Sequence, residues 1–352
     1  MTGSRRIYLL RLYNFINFCF MKKTALPGII LILFSLCAYT QQEQLKDTRA
    51  FSFEASYTGE NVNVLSGGLK TGSCYLGMAN ILLGLSTGNA GLWKGVEFFL
   101  NTANTHGASP SSQYIGDYQV ASNIEAGNHT FIQELWFRQN LGPVAITAGL
   151  QDLNVEFASS ENGSLYLNSS FGIPPTITGS VTAPVFPLTT PGLTVKWTIN
   201  KKLTWINAIY DGSPTDFENN QFNLKWKLNK ADGVFAITEV QSAITMFQKP
   251  GKLKAGLYDH HHRVDRSDMP TCHDSTYNHK VGFYALADLV LWQHASKMKN
   301  LSAFCQFGLS PDDFNHNAIY VGSGLNYQGL FFRNDNDALG LAIAYLQLHG
   351  NT

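Results

Sequence analysis

Residues 131–139 read FIQELWFRQ. Phe131, Leu135 and Phe137 share one parity with Gln133 and Gln139; Ile132, Glu134, Trp136 and Arg138 share the other. A β-strand has a side-chain period of two, so the two sets point to opposite faces. One face carries bulky aromatic and aliphatic groups. The other carries two charges and an indole. Soluble β-sandwiches alternate too, but they rarely aim Glu, Trp and Arg together at one face with large apolar groups behind. A membrane β-barrel does so routinely, with hydrocarbon outside and a wet lumen within.

The pattern recurs along the chain. Residues 93–101 set Val96, Phe98 and Leu100 against Gly95, Glu97 and Asn101, with Phe99 the exception on the polar side. Residues 143–151 set Val144, Ile146, Ala148 and Leu150 against Thr147, Gly149 and Gln151, after a hairpin signal at 140–143. Residues 192–199 set Leu193, Val195, Trp197 and Ile199 against Thr194, Lys196 and Thr198, and 200–202 turn the chain into 204–210. Residues 221–228 set Phe222, Leu224, Trp226 and Leu228 against Asn223, Lys225 and Lys227. Residues 281–292 set Phe283, Ala285, Ala287, Leu289 and Leu291 against Tyr284, Asp288 and Trp292, and 301–309 set Leu301, Ala303, Cys305, Phe307 and Leu309 against Ser302, Gln306 and Gly308. Weaker strand segments lie near 52–65, 73–85, 114–125, 233–242, 252–259, 317–327 and 337–348. Roughly fifteen strands of about ten residues result, the length a tilted strand needs to cross a bilayer.

Composition agrees. Charged residues make up 14% of the 352, against roughly 25% in soluble domains. Lys plus Arg and Asp plus Glu are equal at 25 each, so no nucleic-acid partner is implied. After position 40 there is no apolar run of about 18 residues, which excludes a helical membrane protein. No long amphipathic helical pattern, internal repeat or low-complexity tract is present. The expectation is a single β-barrel domain over 41–352.

Residues 1–40 read as an upstream extension followed by an export signal. Met21, Lys22 and Lys23 form a positive start, 26–38 an apolar stretch, and Ala38 and Thr40 flank a cleavage site near position 40. Cys19 and Cys37 fall in this segment. Cys74, Cys272 and Cys305 remain, an odd number at wide spacing, so no disulfide framework or zinc pattern follows.

One segment, 153–190, breaks the rhythm. It holds Pro174, Pro175, Pro184 and Pro187, yet also Leu165, Tyr166, Leu167, Phe171, Ile173 and Phe186, which seek burial. Structureless loops this long are uncommon and usually functional. In a barrel, burial of a loop means folding into the lumen, so 153–190 is expected to narrow the pore.

The runs GGLKTGSCYLGMANILLGLSTG (67–88), DLNVEFASSENGSLYLNSSFGIPP (152–175), GFYALADLVLWQ (282–293) and GLSPDDFNHNAIYVGSGLNYQGLFFRNDNDALGLAIAYLQL (308–348) resemble the carbohydrate-selective porin family OprB. The likeness runs in the correct order through nearly the whole mature chain. It implies a bacterial outer-membrane barrel of about sixteen antiparallel strands that passes small sugars by diffusion, with lumen-facing charged and aromatic side chains at a selective constriction. A homo-oligomer stays open. The chain departs from the family by stopping at Gly350, Asn351 and Thr352, directly after a strand, so the closing C-terminal strands are expected to be missing.

A sugar offers hydroxyls at its rim and C–H groups on its faces. Charged side chains bind the first, and aromatic rings cover the second. Glu134, Trp136 and Arg138 are therefore the leading pore-lining candidates, sharing one face of one strand. Glu97, Lys196, Lys225, Lys227, Glu239 and Asp288 follow by parity. Mixed signs suit a neutral polar solute, whereas a single sign would select ions. The competing reading of each is a salt bridge that stiffens the wall.

Asp259, His260, His261 and His262, with Cys272, His273 and His279 nearby, match no structural zinc spacing, and three successive histidines cannot all face one ion. The surrounding residues read as a solvated loop. No nucleophile elbow, phosphate-binding loop, metal site or cofactor motif is present. The alternatives are a secreted, soluble carbohydrate-binding β-sandwich and an outer-membrane barrel enzyme.

Overall fold

The computed structural model describes residues 13–19 (backbone only), 49–226, 228, 232–264, 276–295, 299–311, 316–329 and 337–349. The expectations for the export signal at 21–40, for Lys227, for Cys272 and His273, and for the chain end at 350–352 lie outside them.

Fourteen strands are described: β1 (Tyr13–Cys19), β2 (Phe51–Val64), β3 (Gly72–Ser86), β4 (Val96–Gly107), β5 (His129–Leu141), β6 (Val144–Gln151), β7 (Thr190–Thr198), β8 (Leu203–Asp211), β9 (Val234–Met246), β10 (Lys249–Val264), β11 (Thr276–Gln293), β12 (Asn300–Leu309), β13 (Asn317–Gln328) and β14 (Ala338–Leu348). β2 to β14 form one antiparallel meander in which each strand pairs with its neighbours in sequence, and β1 lies parallel to β14. Among the described residues no ladder joins the two outermost strands, β1 and β2.

The sheet nevertheless curls around a common interior. Tyr166 packs with Phe304, Tyr320 and Ala342 of β12–β14. Leu167, the next residue, packs with Val62 and Leu76 of β2–β3. Two adjacent residues can touch both ends of a meander only if the sheet bends round them.

Alternation sorts the two faces. Leu253, Leu257, Phe283, Phe307, Leu325, Leu341 and Ile343 are outward and solvent-accessible. Glu239, Lys254, Tyr258, Tyr284, Asp288 and Gln306 are inward and buried. Space on the inner face is made by glycine opposite tyrosine. A side chain on Gly256 would meet the Tyr284 ring, and one on Gly282 the Tyr258 ring, each at less than 3 Å. The two tyrosines thus lie across each other's glycines on adjacent strands.

The structure corrects four sequence expectations. In β5, pairing slips between Glu134–Asn101 and Ile132–Thr102, leaving Gln133 as an extra residue. Such a bulge reverses parity beyond it, so Phe131 points inward, 2% exposed, away from Leu135 and Phe137. A bulge after Val290 in β11 likewise turns Trp292 outward, where it stacks on Tyr327. The described residues of 221–228 form no strand: Asn223 has φ 52°, and the Asn220 side chain accepts from Leu224 and Lys225 N–H groups, closing a turn. Residues 114–125 form none either; a short helical turn, Ser111–Ile115, ends at Gly116, and the chain then packs on 167–170.

His260 and His261 lie within β10 on opposite faces, His260 buried inside and His261 beside His279 outside. No helix among the described residues is long and apolar enough to cross a membrane, which says nothing about crossing by strands.

Candidate functional site

The segment between β6 and β7 fills the curl. It holds three short turns, α1 (Leu153–Glu156), α2 (Ser169–Gly172) and α3 (Pro175–Thr178). Its apolar side, Leu153, Phe157, Ile173, Ile177 and Val181, packs on the inward Ile206, Phe235, Ile237 and Tyr284 of β8–β11. Each such buried side chain contributes roughly 1.5–3 kcal/mol.

Buried backbone needs partners, and the wall supplies them. Asp152 caps α1 by accepting from Asn154 N at 2.9 Å, and also accepts from Gln133 Nε2 and Phe186 N. Glu239 accepts from Ala158 N and the Tyr284 hydroxyl, both at 2.7 Å, and from Gln241 Nε2 at 2.6 Å. Asp288 accepts from Ser160 Oγ at 2.7 Å, Asn162 N at 2.9 Å and Glu161 N at 3.2 Å. Lys254 Nζ donates to Ser159 O at 2.6 Å. The 108–128 connection adds Ser169 N to Val120 O, and Asn223 Nδ2 reaches Thr189 at the far end.

The sequence-selected residues fall into three groups. Glu134, Glu239 and Asp288 are inward and buried, the last two bonded to the inner segment. Glu134 accepts from Trp136 Nε1 at 3.2 Å. Trp136, Arg138 and Lys196 come together at the rim of the inner segment. The Arg138 guanidinium lies 4.6 Å over the Trp136 ring, and Phe99 stacks on that ring at 4.9 Å. Arg138 donates to Thr147 Oγ1 at 2.9 Å and pairs with Glu156 at 3.1 Å. Lys196 pairs with the same carboxylate at 2.7 Å. The side chains are 14% (Arg138), 18% (Glu156) and 37% (Lys196) exposed, so the cluster still meets solvent. Glu97, cross-strand from Arg138, accepts from Asn140 Nδ2 at 3.0 Å, nearer the β5–β6 turn. Lys225 stands apart: with no strand at 221–228 its parity argument lapses, and it is exposed beside Asn219.

Glu156 was not legible in advance. It lies in a segment without periodicity, so nothing assigned it a direction; the only signal was Asp152 as a helix cap just before it. Phe99, the misfit of its strand, is the ring that extends the Trp136 platform.

Gly149 positions that platform. It is cross-strand from Trp136, has φ 133°, and a side chain on it would meet Leu135 O at 2.4 Å and the Trp136 backbone at 2.8 Å. Only glycine tolerates so close an approach of the neighbouring backbone there.

No curated protein matches the sequence. Among solved structures, a high-pH form of OprB from Pseudomonas putida aligns with TM-score 0.76 at 20% identity, covering 87% of this chain and 77% of that one. A low-pH form of the same protein aligns with TM-score 0.54 at 16% identity, covering 86% and 79%. These likenesses establish the fold. The sequence profile of the carbohydrate-selective porins matches residues 71–351, most of the chain, which favours a porin over a soluble sandwich or a barrel enzyme. A curled antiparallel sheet, an inner segment bonded to its wall and this profile lead to one assignment: the chain belongs to the carbohydrate-selective porin family, OprB.

Proposed function

We propose that segment 153–190 is the constriction of an outer-membrane sugar pore, and that Trp136, Arg138, Glu156 and Lys196 are the groups its solute touches. The outward leucines and phenylalanines suit acyl chains. The turns at 142–143, 199–202 and 247–248 are short, while the connections 108–128, 152–189 and 212–233 are long. Outer-membrane barrels keep short turns on the periplasmic side, so the long connections face outside.

One observation carries the reading. An aromatic face, two cations and one carboxylate meet at the edge of the inner segment, partly exposed. The ring covers a sugar's C–H face, and the charged groups bond its hydroxyls. The carboxylate offsets one of the two cations, which weakens the pull on anions. Weak, multiple contacts allow release. Glu239 and Asp288 then hold the constriction in place, and Glu134 holds the Trp136 indole.

Liposome swelling with monosaccharides, larger sugars and salts tests this. Trp136→Ala is expected to reduce the preference for monosaccharide over salt while leaving salt entry similar or faster. Glu156→Gln is expected to shift selectivity towards anions, since Arg138 and Lys196 lose their counter-charge. Unchanged sugar-to-salt ratios in both variants would overturn the assignment.

A further inference from the structure

Besides the Trp136 cluster, a cavity of about 420 Å³ lies against the 178–182 part of the inner segment. It is lined by Ser180 and Thr182 of that segment, Ser213 and Asp232 of the β8–β9 connection, and His260 and Lys280 of β10 and β11. His260 and Lys280 are cross-strand partners, four residues from the β10–β11 ends at Val264 and Thr276. Lys196, by contrast, lies two residues from the end of β7 at a tight turn. The two places therefore occupy opposite mouths, with the inner segment between them.

We propose that this cavity is an outer sugar subsite, met before the constriction, which takes a neutral monosaccharide by its hydroxyls. The proposal rests on the sugar-pore reading above. Its volume falls in the range of small-molecule sites. Its lining sets the Ser180, Thr182 and Ser213 hydroxyls, the His260 ring, one ammonium and one carboxylate beside apolar surface that includes Val181, so it bonds hydroxyls of either sense without favouring a net charge. It contains no Phe, Tyr or Trp ring. It offers no ring to a C–H face, and so differs in chemistry from the Trp136 platform.

The cavity is held to the constriction itself. Lys280 Nζ donates to Ser180 O at 3.2 Å, and Thr182 Oγ1 donates to Gly212 O at 2.9 Å. A solute there sits against the backbone of the segment it must pass. The division of labour is a hydroxyl-reading site outside and a face-reading site inside.

The test is sugar-induced noise on the ion current of the protein in planar bilayers, with D-glucose as probe. The native protein is expected to show two kinetic components. Lys280→Met combined with Asp232→Asn is expected to remove one and raise the half-saturating glucose concentration roughly tenfold, as the loss of charge-assisted bonds implies. Ser213→Trp, whose indole occupies much of the cavity while both charges are kept, should do the same. Trp136→Ala should remove the other component. A native protein with one component, or noise unchanged by both cavity variants, overturns the outer subsite alone. A native current that glucose does not alter overturns the sugar-pore reading with it.

Discussion

Asp152 stands where β6 ends and the inner segment begins, and its carboxylate is shared among Asn154 N, Gln133 Nε2 and Phe186 N. Burial pushes its carboxyl above the ordinary range, against the opposing effect of those donors. A folded-state pKa above the unfolded value means that the folded protein binds more protons between the two, so stability falls as pH rises through that window. The root of the inner segment is therefore expected to be firmer on the acid side. Hydrogen exchange across 153–160 should quicken with rising pH beyond the intrinsic chemical rate. Asp152→Asn keeps a competent cap and should flatten that dependence; an identical slope in both proteins would remove Asp152 as the cause.

At the scale of an element, the inner segment is a long connection without a ladder of its own, and it is fixed by side chains of strands far away in sequence. Asp288 alone accepts from Ser160, Glu161 and Asn162. Asp288→Ala leaves those buried donors without an acceptor, at a cost of roughly 3 kcal/mol or more. The strands do not need this carboxylate for their own pairing. The expected result is a sheet of unchanged content by circular dichroism, faster protease cleavage near 158–165, and larger, less selective conductance. A global loss of strand signal would show instead that the segment is required for the sheet to form.

For the molecule as a whole, outward and inward faces meet different solvents. Leu257 is half-exposed on the outer face near the middle of β10, cross-strand from Phe283. Leu257→Arg is expected to destabilise the protein in lipid by about 2–4 kcal/mol, the depth-dependent cost of a cation on a barrel's outer wall. Its inward neighbour Gly256 faces the Tyr284 ring, so Gly256→Ala should be damaging by crowding, not by polarity. Urea unfolding from vesicles measures both. A Leu257→Arg protein as stable as the native one would place that wall in water.

Two-residue alternation was enough to locate most of the strands, to separate most of the two faces of β11 and β12 and to mark 153–190 as the part that breaks the pattern, because side-chain direction in a strand is a local property. It also put Trp136 and Arg138 on one wall. It did not reveal the bulges at Gln133 and beyond Val290, which reverse Phe131 and Trp292, since an extra residue is visible only in the partner's register. Nor did it foresee that 220–225, at the start of a stretch of perfect alternation, would be held as a turn by Asn220 and Asn223. Tertiary structure alone brought Glu156 to Arg138 and Lys196, and set Ser160 against Asp288 across more than a hundred residues. Those meetings depend on how the sheet curls, and curvature is fixed by the sum of all the ladders, which no single stretch of sequence contains.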